Sequence, residues 1–538
     1  MSLWVWMAMA FVLGACVGSF LNVVILRMPA GMSVVHPPSH DPSTGKPLAW
    51  WENLPLLSYV VILRGRSRSS GGWISPQYPV VELVTGVLFA WVVWVVYGSG
   101  LRPDFALATG GVTVAGWPWA STWPVLLVWF TLVGCLVAAT VIDARLFVIP
   151  IEITWVAAGM AVVVLPVAAG FGLPTGWVVL TQTNAGWGQA PRQWLVYAMP
   201  RAGDAAMWVA IGGAVGLAVA NGLLCLRVLP RGFDELSAGY AEAVAKAEAE
   251  AKEAAGETEE AESEEEGASD VGAVWSAVAI ASVVCGLLAG GLLVVAGLLP
   301  MGWRAGVLDA IVGWPMVGGG ALVVGLVAVG VVLACFVALI LVGVMGDKAE
   351  ASEVEAELGL FGRPRWEVGK ELMFVAWPVA GMAVGAGVAW WMGLVEVTAG
   401  RPLVVGGVEA VAAFGAVGSG AWPAWAEVLG GVVLGYLVGG GVVWLTRIVA
   451  TLAFGREAMG LGDVHLMAAA GAVVGGADAS IAFFLAALLG LGAAVVMIGL
   501  ARMARGGVRV MPYGPYLAAA VVVLMAVRVP VQRFLGIF

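Results

Sequence analysis

Two aspartates in this 538-residue chain stand where an aspartate is expensive. Asp143 closes an apolar run in ATVIDARLFVIP, and Asp463 opens another in GREAMGLGDVHLMAAAGAVVGG. A carboxylate inside or at the edge of a membrane segment is costly to hold and is read first as functional. Two carboxyl groups on different helices at one depth can converge, and a close pair shares a proton because both cannot ionise easily. One then acts as general base on a water, while the other hydrogen-bonds the scissile carbonyl and later protonates the leaving amine. That is peptide hydrolysis by paired aspartates, and it needs no metal. Gly460 and Gly462 suit it, because glycine lets a backbone or a substrate strand approach the carboxylate and permits a helix to break beside it. Each aspartate also has a plainer reading. Asp143 could cap or anchor a helix end beside Arg145, and Asp463 could be a helix N-cap. A bare GxGD string says little in a chain with 76 glycines.

The elements that must position these groups are membrane helices. Hydrophobic residues make up 61% of the chain and charged residues 11%, against about 25% charged in ordinary soluble domains. Mean hydropathy is +0.96. A water-soluble globule, a disordered chain, a collagen and a small disulfide scaffold are excluded as the overall class. Apolar runs long enough to span a bilayer fall at 3–26, 80–97, 122–142, 152–171, 204–226, 272–299, 317–345, 372–395, 426–447, 464–475 (short), 479–500 and 512–528. The fold class is therefore an all-α polytopic membrane protein with about 12 transmembrane helices. The first run lacks a basic start and is followed by Arg27, so it reads as an uncleaved span.

The bias of Lys and Arg puts the N-terminus outside and both aspartates at the cytoplasmic edge. Trp117, Trp119, Trp123, Trp303, Trp422 and Trp425 then fall near the outer boundary as interface anchors. The net charge of −9 is local: residues 234–270 carry 14 acids and two lysines and read as a solvated cytoplasmic linker. No basic tract or stacking platform suggests nucleic acid. The five cysteines (Cys16, Cys135, Cys225, Cys285, Cys335) form no CxxC pair and read as buried small side chains.

Four blocks surround this chemistry: GACVGSFLNVVILRMP (14–29), WWENLPLLSYVVILRGRSRSSGGWISPQYPVVELVTG (50–86), the stretch around Asp143, and residues 455–476 followed by MPYGPYLAA (511–519). Together they resemble the type IV prepilin peptidases, membrane aspartic peptidases that also serve type II secretion. The resemblance implies removal of the leader from prepilin or pseudopilin precursors, typically after a Gly, at the cytoplasmic face of the bacterial inner membrane. It implies Asp143 and Asp463 as the catalytic pair, with Gly460 and Gly462 as motif support. Many members also methylate the new N-terminus with S-adenosylmethionine, which is carried here as an option without named residues. Proteolysis itself needs no cofactor.

The departures from the family are specific. Where many members have two CxxC pairs that bind zinc, this chain has Asp41, Thr44, Ser67 and Ser70, so a tetrahedral cysteine site is impossible. His36 and His40 are nearby but read as loop residues, and no metal is expected. The loop is expected to fold instead around Trp50, Trp51, Leu54, Leu56 and Leu57. His465 stands where the family usually has Lys, and Glu152 is a substitute for an Asp often found after the Ile149-Pro150 pair.

The implied layout is a first span (1–28), a cytoplasmic loop domain without the zinc cysteines (29–79), core spans carrying Asp143 (80–171), an inserted region (172–425) and C-terminal core spans carrying GxGD (426–538). The family core has about eight spans. The insertion adds four spans and the acidic linker, and reads as lateral elaboration. Its segment 208–233 faintly echoes 430–455. Two competing classes remain: a transporter or channel, and an inactive peptidase-like assembly factor.

Overall fold

A computed structural model describes residues 3–35, 39, 44, 46–99, 101–102, 119–171, 177–181, 192–196, 199–229, 320–345, 364–392, 403–405, 408–410, 422–454, 459–504 and 512–534. The expected span at 272–299, the acidic linker, His36, His40, Asp41, Cys285, Trp117 and Trp303 lie outside these residues.

Eleven α-helices account for the other expected spans. They are α1 (Leu3–Arg27), α2 (Gln77–Tyr97), α3 (Trp119–Leu146), α4 (Ile151–Gly170), α5 (Asp204–Cys225), α6 (Gly320–Met345), α7 (Pro364–Trp391), α8 (Ala424–Phe454), α9 (Leu461–Val474), α10 (Gly476–Ala504) and α11 (Gly514–Phe534). Eight of these carry stretches long and apolar enough to cross a membrane, and the chain is a polytopic, predominantly helical membrane protein. In hydrocarbon every backbone N–H and C=O must be satisfied within the element, which is why these runs become helices.

The helices are ordered by burial. In α3, 89% of the spanning window is buried, against 22% in α5 and 17% in α7. Helices α3, α9 and α11 therefore form the centre, and α5 and α7 lie at the margin. Glycines set the crossings. Gly435 of α8 and Gly471 of α9 lie so close that a Cβ on either would meet the other's carbonyl oxygen, and Gly439 likewise faces Met467. The two helices thus run antiparallel with backbones touching, as small residues allow in lipid. Helices α5 and α7 are joined the same way, Gly212 against Gly381 and Gly216 against Trp377 and Pro378.

The described helices of the expected insertion divide between two flanks. The α5/α7 pair docks on α8, with Met207 against Gly430 and Leu437 against Gly213, so α5 runs parallel to α8, the helix whose sequence it echoes. Helix α6 instead lies against α2, where the Trp91 indole N–H donates to the Ala328 carbonyl at 3.1 Å.

Strands β1 (Trp177–Thr181), β2 (Arg192–Val196), β3 (Leu403–Val405) and β4 (Val408–Ala410) form one small sheet in the order β1-β2-β4-β3. Two antiparallel hairpins meet through a parallel contact of Gln193 with Ala410. These strands come from the α4–α5 and α7–α8 connections. Gly170, ending α4, lies beside Trp425, near the start of α8, and Arg201 pairs with Glu427 nearby. The sheet thus marks one end of the bundle.

Two expectations need correction. Cys135 and Cys335 are buried, but Cys16 and Cys225 are exposed, because an apolar stretch of a membrane helix faces lipid as readily as its neighbours. The 46–76 loop does not close a core of its own. Trp51 and Leu57 are exposed, while Leu56, at φ 60, donates its N–H to the buried Glu82 carboxylate of α2 at 2.7 Å. The segment is thus tethered to α2.

The α8–α9 crossing yields a prediction. Gly435→Val forces two backbones apart and lowers the thermal midpoint in detergent by several degrees, an overpacking cost of about 1–3 kcal/mol. Gly441→Val, on the same helix with open space around it, leaves the midpoint unchanged.

Candidate functional site

At the end opposite the sheet, three helix termini meet. Asp143 lies in the last turn of α3 and is only 6% exposed. Its Oδ2 accepts the backbone N–H of Gly514 at 3.0 Å. Gly514 is the first residue of α11, so the carboxyl group caps the positive end of that helix. Space dictates glycine there: a Cβ would lie 2.6 Å from Asp143 Oδ2. Tyr513 steadies the approach, since its hydroxyl donates to the Phe483 carbonyl at 3.3 Å and its ring stands edge-on to that of Phe483.

Asp463 is 8% exposed and lies in the first turn of α9, whose N-cap is Gly460. It is not the N-cap itself. It sits three residues further on, with its Oδ2 3.7 Å from where a Cβ on Gly460 would lie.

One side chain joins the two motifs. Ile149 is buried between Gly462 and Gly514. A Cβ on Gly462 would come within 2.8 Å of Ile149 Cβ, and a Cβ on Gly514 within 3.1 Å of Ile149 Cδ1. Asp143 acts electrostatically on Asp463, and so does Arg447 of α8. Tyr513 in turn feels the charge of Asp463.

Arg145, the sequence neighbour offered as a partner for Asp143, bonds elsewhere: its Nη1 donates to Gln77 Oε1 at 3.0 Å, tying the end of α3 to the start of α2. His465 lies partly buried on α9, and Glu152 is exposed in the first turn of α4, outside the buried pair. Residue-by-residue reading of the sequence passed over Gly514, Ile149 and Arg447. Gly514 lies within the quoted 511–519 block, but nothing in one dimension says that its amide meets Asp143.

Three of the family's zinc positions, Thr44, Ser67 and Ser70, carry hydroxyls linked through Ser69 and the loop backbone, and the fourth, Asp41, lies outside the described residues. The Thr44 hydroxyl lies 3.3 Å from Ser69 Oγ, which lies 3.1 Å from Ser67 Oγ, and the Ser70 N–H donates to Ser67 Oγ. Neutral hydroxyls do not replace thiolates as zinc ligands, so Thr44, Ser67 and Ser70 do not fit the family's cysteine zinc site.

Residues 12–96 match the family described as the bacterial peptidase A24 N-terminal domain. The chain is 60% identical over 79 residues to the prepilin leader peptidase/N-methyltransferase of Myxococcus xanthus (15% of this chain, 23% of that protein). It is 38% identical over 151 residues to the protein of that name from Xanthomonas campestris pv. campestris (23% and 52%), and 44% identical over 90 residues to that from Klebsiella pneumoniae (16% and 39%). The matched stretches thus span about a quarter to a half of these relatives. No solved structure matches. The resemblance to the type IV prepilin peptidases holds.

The hydroxyl cluster predicts metal independence. The thermal midpoint of the purified protein stays the same within error with excess EDTA and with added Zn²⁺. A fall of several degrees in chelator would show that a metal holds the loop.

Proposed function

We propose that this protein removes the leader of prepilin or pseudopilin precursors by aspartic peptide hydrolysis at the cytoplasmic rim of the bacterial inner membrane. The observation that carries the reading is the juxtaposition of Asp143 and Asp463 across Ile149, two nearly buried carboxyl groups from separate parts of the chain whose charges act on one another.

Such a pair holds one proton. The ionised member takes a proton from water, and the hydroxide attacks the scissile carbonyl carbon. The protonated member hydrogen-bonds the carbonyl oxygen as it gains charge. When the tetrahedral intermediate collapses, the C–N bond breaks and the leaving amine receives a proton from the pair. The Gly514 amide holds the Asp143 carboxyl group in place through the cycle. No cofactor enters these steps.

The substrate fits the location. A basic leader followed by an apolar helix presents its junction at the membrane rim, where water and lipid meet. The bias of Lys and Arg supports a cytoplasmic rim and an external N-terminus. A transporter would concentrate its polar groups near the midplane, whereas this pair sits in the last turn of one helix and the first of another. Methylation of the new N-terminus, which the relatives' names include, would be a second step with S-adenosylmethionine supplying the methyl group, and we assign no residues to it. The proposed layout keeps 29–79 as a cytoplasmic loop domain and 172–425 as an insertion.

Co-expression with a type IV prepilin tests the reading. Asp143→Asn and Asp463→Asn each abolish leader removal on immunoblots; processing that survives both changes overturns the proposal. Gly514→Ala pushes the Asp143 carboxyl group aside and slows cleavage by about 10- to 100-fold.

A further inference from the structure

We infer that the inserted helix α7 braces the Gly460–Asp463 loop, with Glu371 and Arg447 as positioning residues for Asp463. The inference rests on the proposed function and adds a role for a region the family core does not require.

Arg447 is 1% exposed, and its guanidinium is divided between two tasks. Nη1 donates to the carbonyl of Met459, the residue just before Gly460. On the other edge, Nε donates to Glu371 Oε1 at 3.2 Å and Nη2 lies 3.0 Å from the same oxygen. Glu371, itself buried, also accepts the Trp444 indole N–H at 3.1 Å. One turn away, the Phe374 and Trp444 rings lie 5.6 Å apart. Residues 371 and 374 of α7 therefore oppose 447 and 444 of α8, an antiparallel contact that fixes Glu371 from two sides.

The next link is one peptide bond. The Met459 carbonyl and the Gly460 N–H belong to the same planar unit. Arg447 holds its oxygen, and Asp463 stands against Gly460, its Oδ2 3.7 Å from where a Cβ on that residue would lie. A guanidinium is a rigid fork, so seating one edge on Glu371 aims the other. A plane held at its oxygen fixes where Gly460 lies against Asp463. The contacts thus run from Glu371 through Arg447 and this peptide to the carboxyl group, and the positive charge of Arg447 acts on Asp463 as well. Glu371 belongs to the insertion, and α7 is held to α5 by the close glycine crossings described above.

The test uses the full chain in detergent or nanodiscs with a synthetic prepilin. Glu371→Gln removes the charge that seats Arg447 while keeping an amide oxygen for Trp444. It is expected to lower kcat by about 10-fold or more with KM unchanged, and to speed amide exchange at Gly460 and Leu461. Phe374→Leu loosens the same α7–α8 contact without touching the ion pair; it is expected to lower the thermal midpoint and leave kcat and Gly460 exchange alone. If Glu371→Gln matches wild type in kcat and exchange, or if both variants lose activity only in step with stability, the brace is overturned. Should Glu371→Gln fail to fold, Glu371→Asp, which keeps the charge but shortens its reach, is judged by the same readouts. A wild type that leaves prepilin uncut sinks the peptidase reading, while the exchange comparison still decides the brace.

Discussion

Two carboxyl groups held almost out of water, each beside a helix N-terminus, are the constraint around which the rest of the structure is arranged. An ionisable side chain at membrane depth is costly unless it finds donors or opposite charge. Asp143 finds the Gly514 amide at the head of α11, and Asp463 lies in the first turn of its own helix against Gly460. Helix N-termini supply both free donors and a favourable field for an anion. Using two of them requires α3, α9 and α11 to end at the same depth, and those three helices form the centre of the bundle.

Bringing helix ends so close is a packing problem in which lipid gives little help. No hydrophobic force presses one apolar helix on another when the surroundings are equally apolar. Close backbone contact substitutes for it, and that explains why Gly435 meets Gly471 and why Gly462 and Gly514 leave room for Ile149. The helices of the proposed insertion use the same device. Helices α5 and α7 join through glycines and then dock on α8 through Gly213 and Gly430, so extra spans attach at the flank without entering the centre.

Much of this was legible in the sequence, for reasons that also explain what was not. A membrane helix is written as a continuous apolar run, so eleven expected spans appear as helices. A lone Asp at the edge of such a run is conspicuous, and Asp143 and Asp463 were found by that test. What escaped depends on partners distant in the chain. Gly514 is one glycine among 76, and only its meeting with Asp143 distinguishes it. Glu371 looks like one more acid near a polar loop until Arg447 is seen beside it. Cys16 and Cys225 are exposed, and composition cannot tell a protein neighbour from lipid. The loop around Trp51 and Leu57 was expected to bury its apolar residues, but the buried Glu82 carboxylate holds Leu56 by its backbone instead.

The Glu371–Arg447 pair invites a question about cost. Desolvating two full charges is expensive, and buried ion pairs replaced by apolar residues of similar volume are often neutral or stabilising by about 1–4 kcal/mol. Removing a single partner is worse, about 3–5 kcal/mol, since it strands a buried charge. Stability alone is therefore a poor account of why this pair sits deep between α7 and α8 when two leucines would hold the helices together. Geometry is a better one. An apolar contact fixes a distance but not a direction, whereas a guanidinium seated on a carboxylate presents its remaining N–H groups along a defined line. Here that line ends on the Met459 carbonyl, whose peptide leads into Gly460, the residue against which the Asp463 carboxyl group stands. The pair's energetic disadvantage and its orientation together point to control of that one peptide plane.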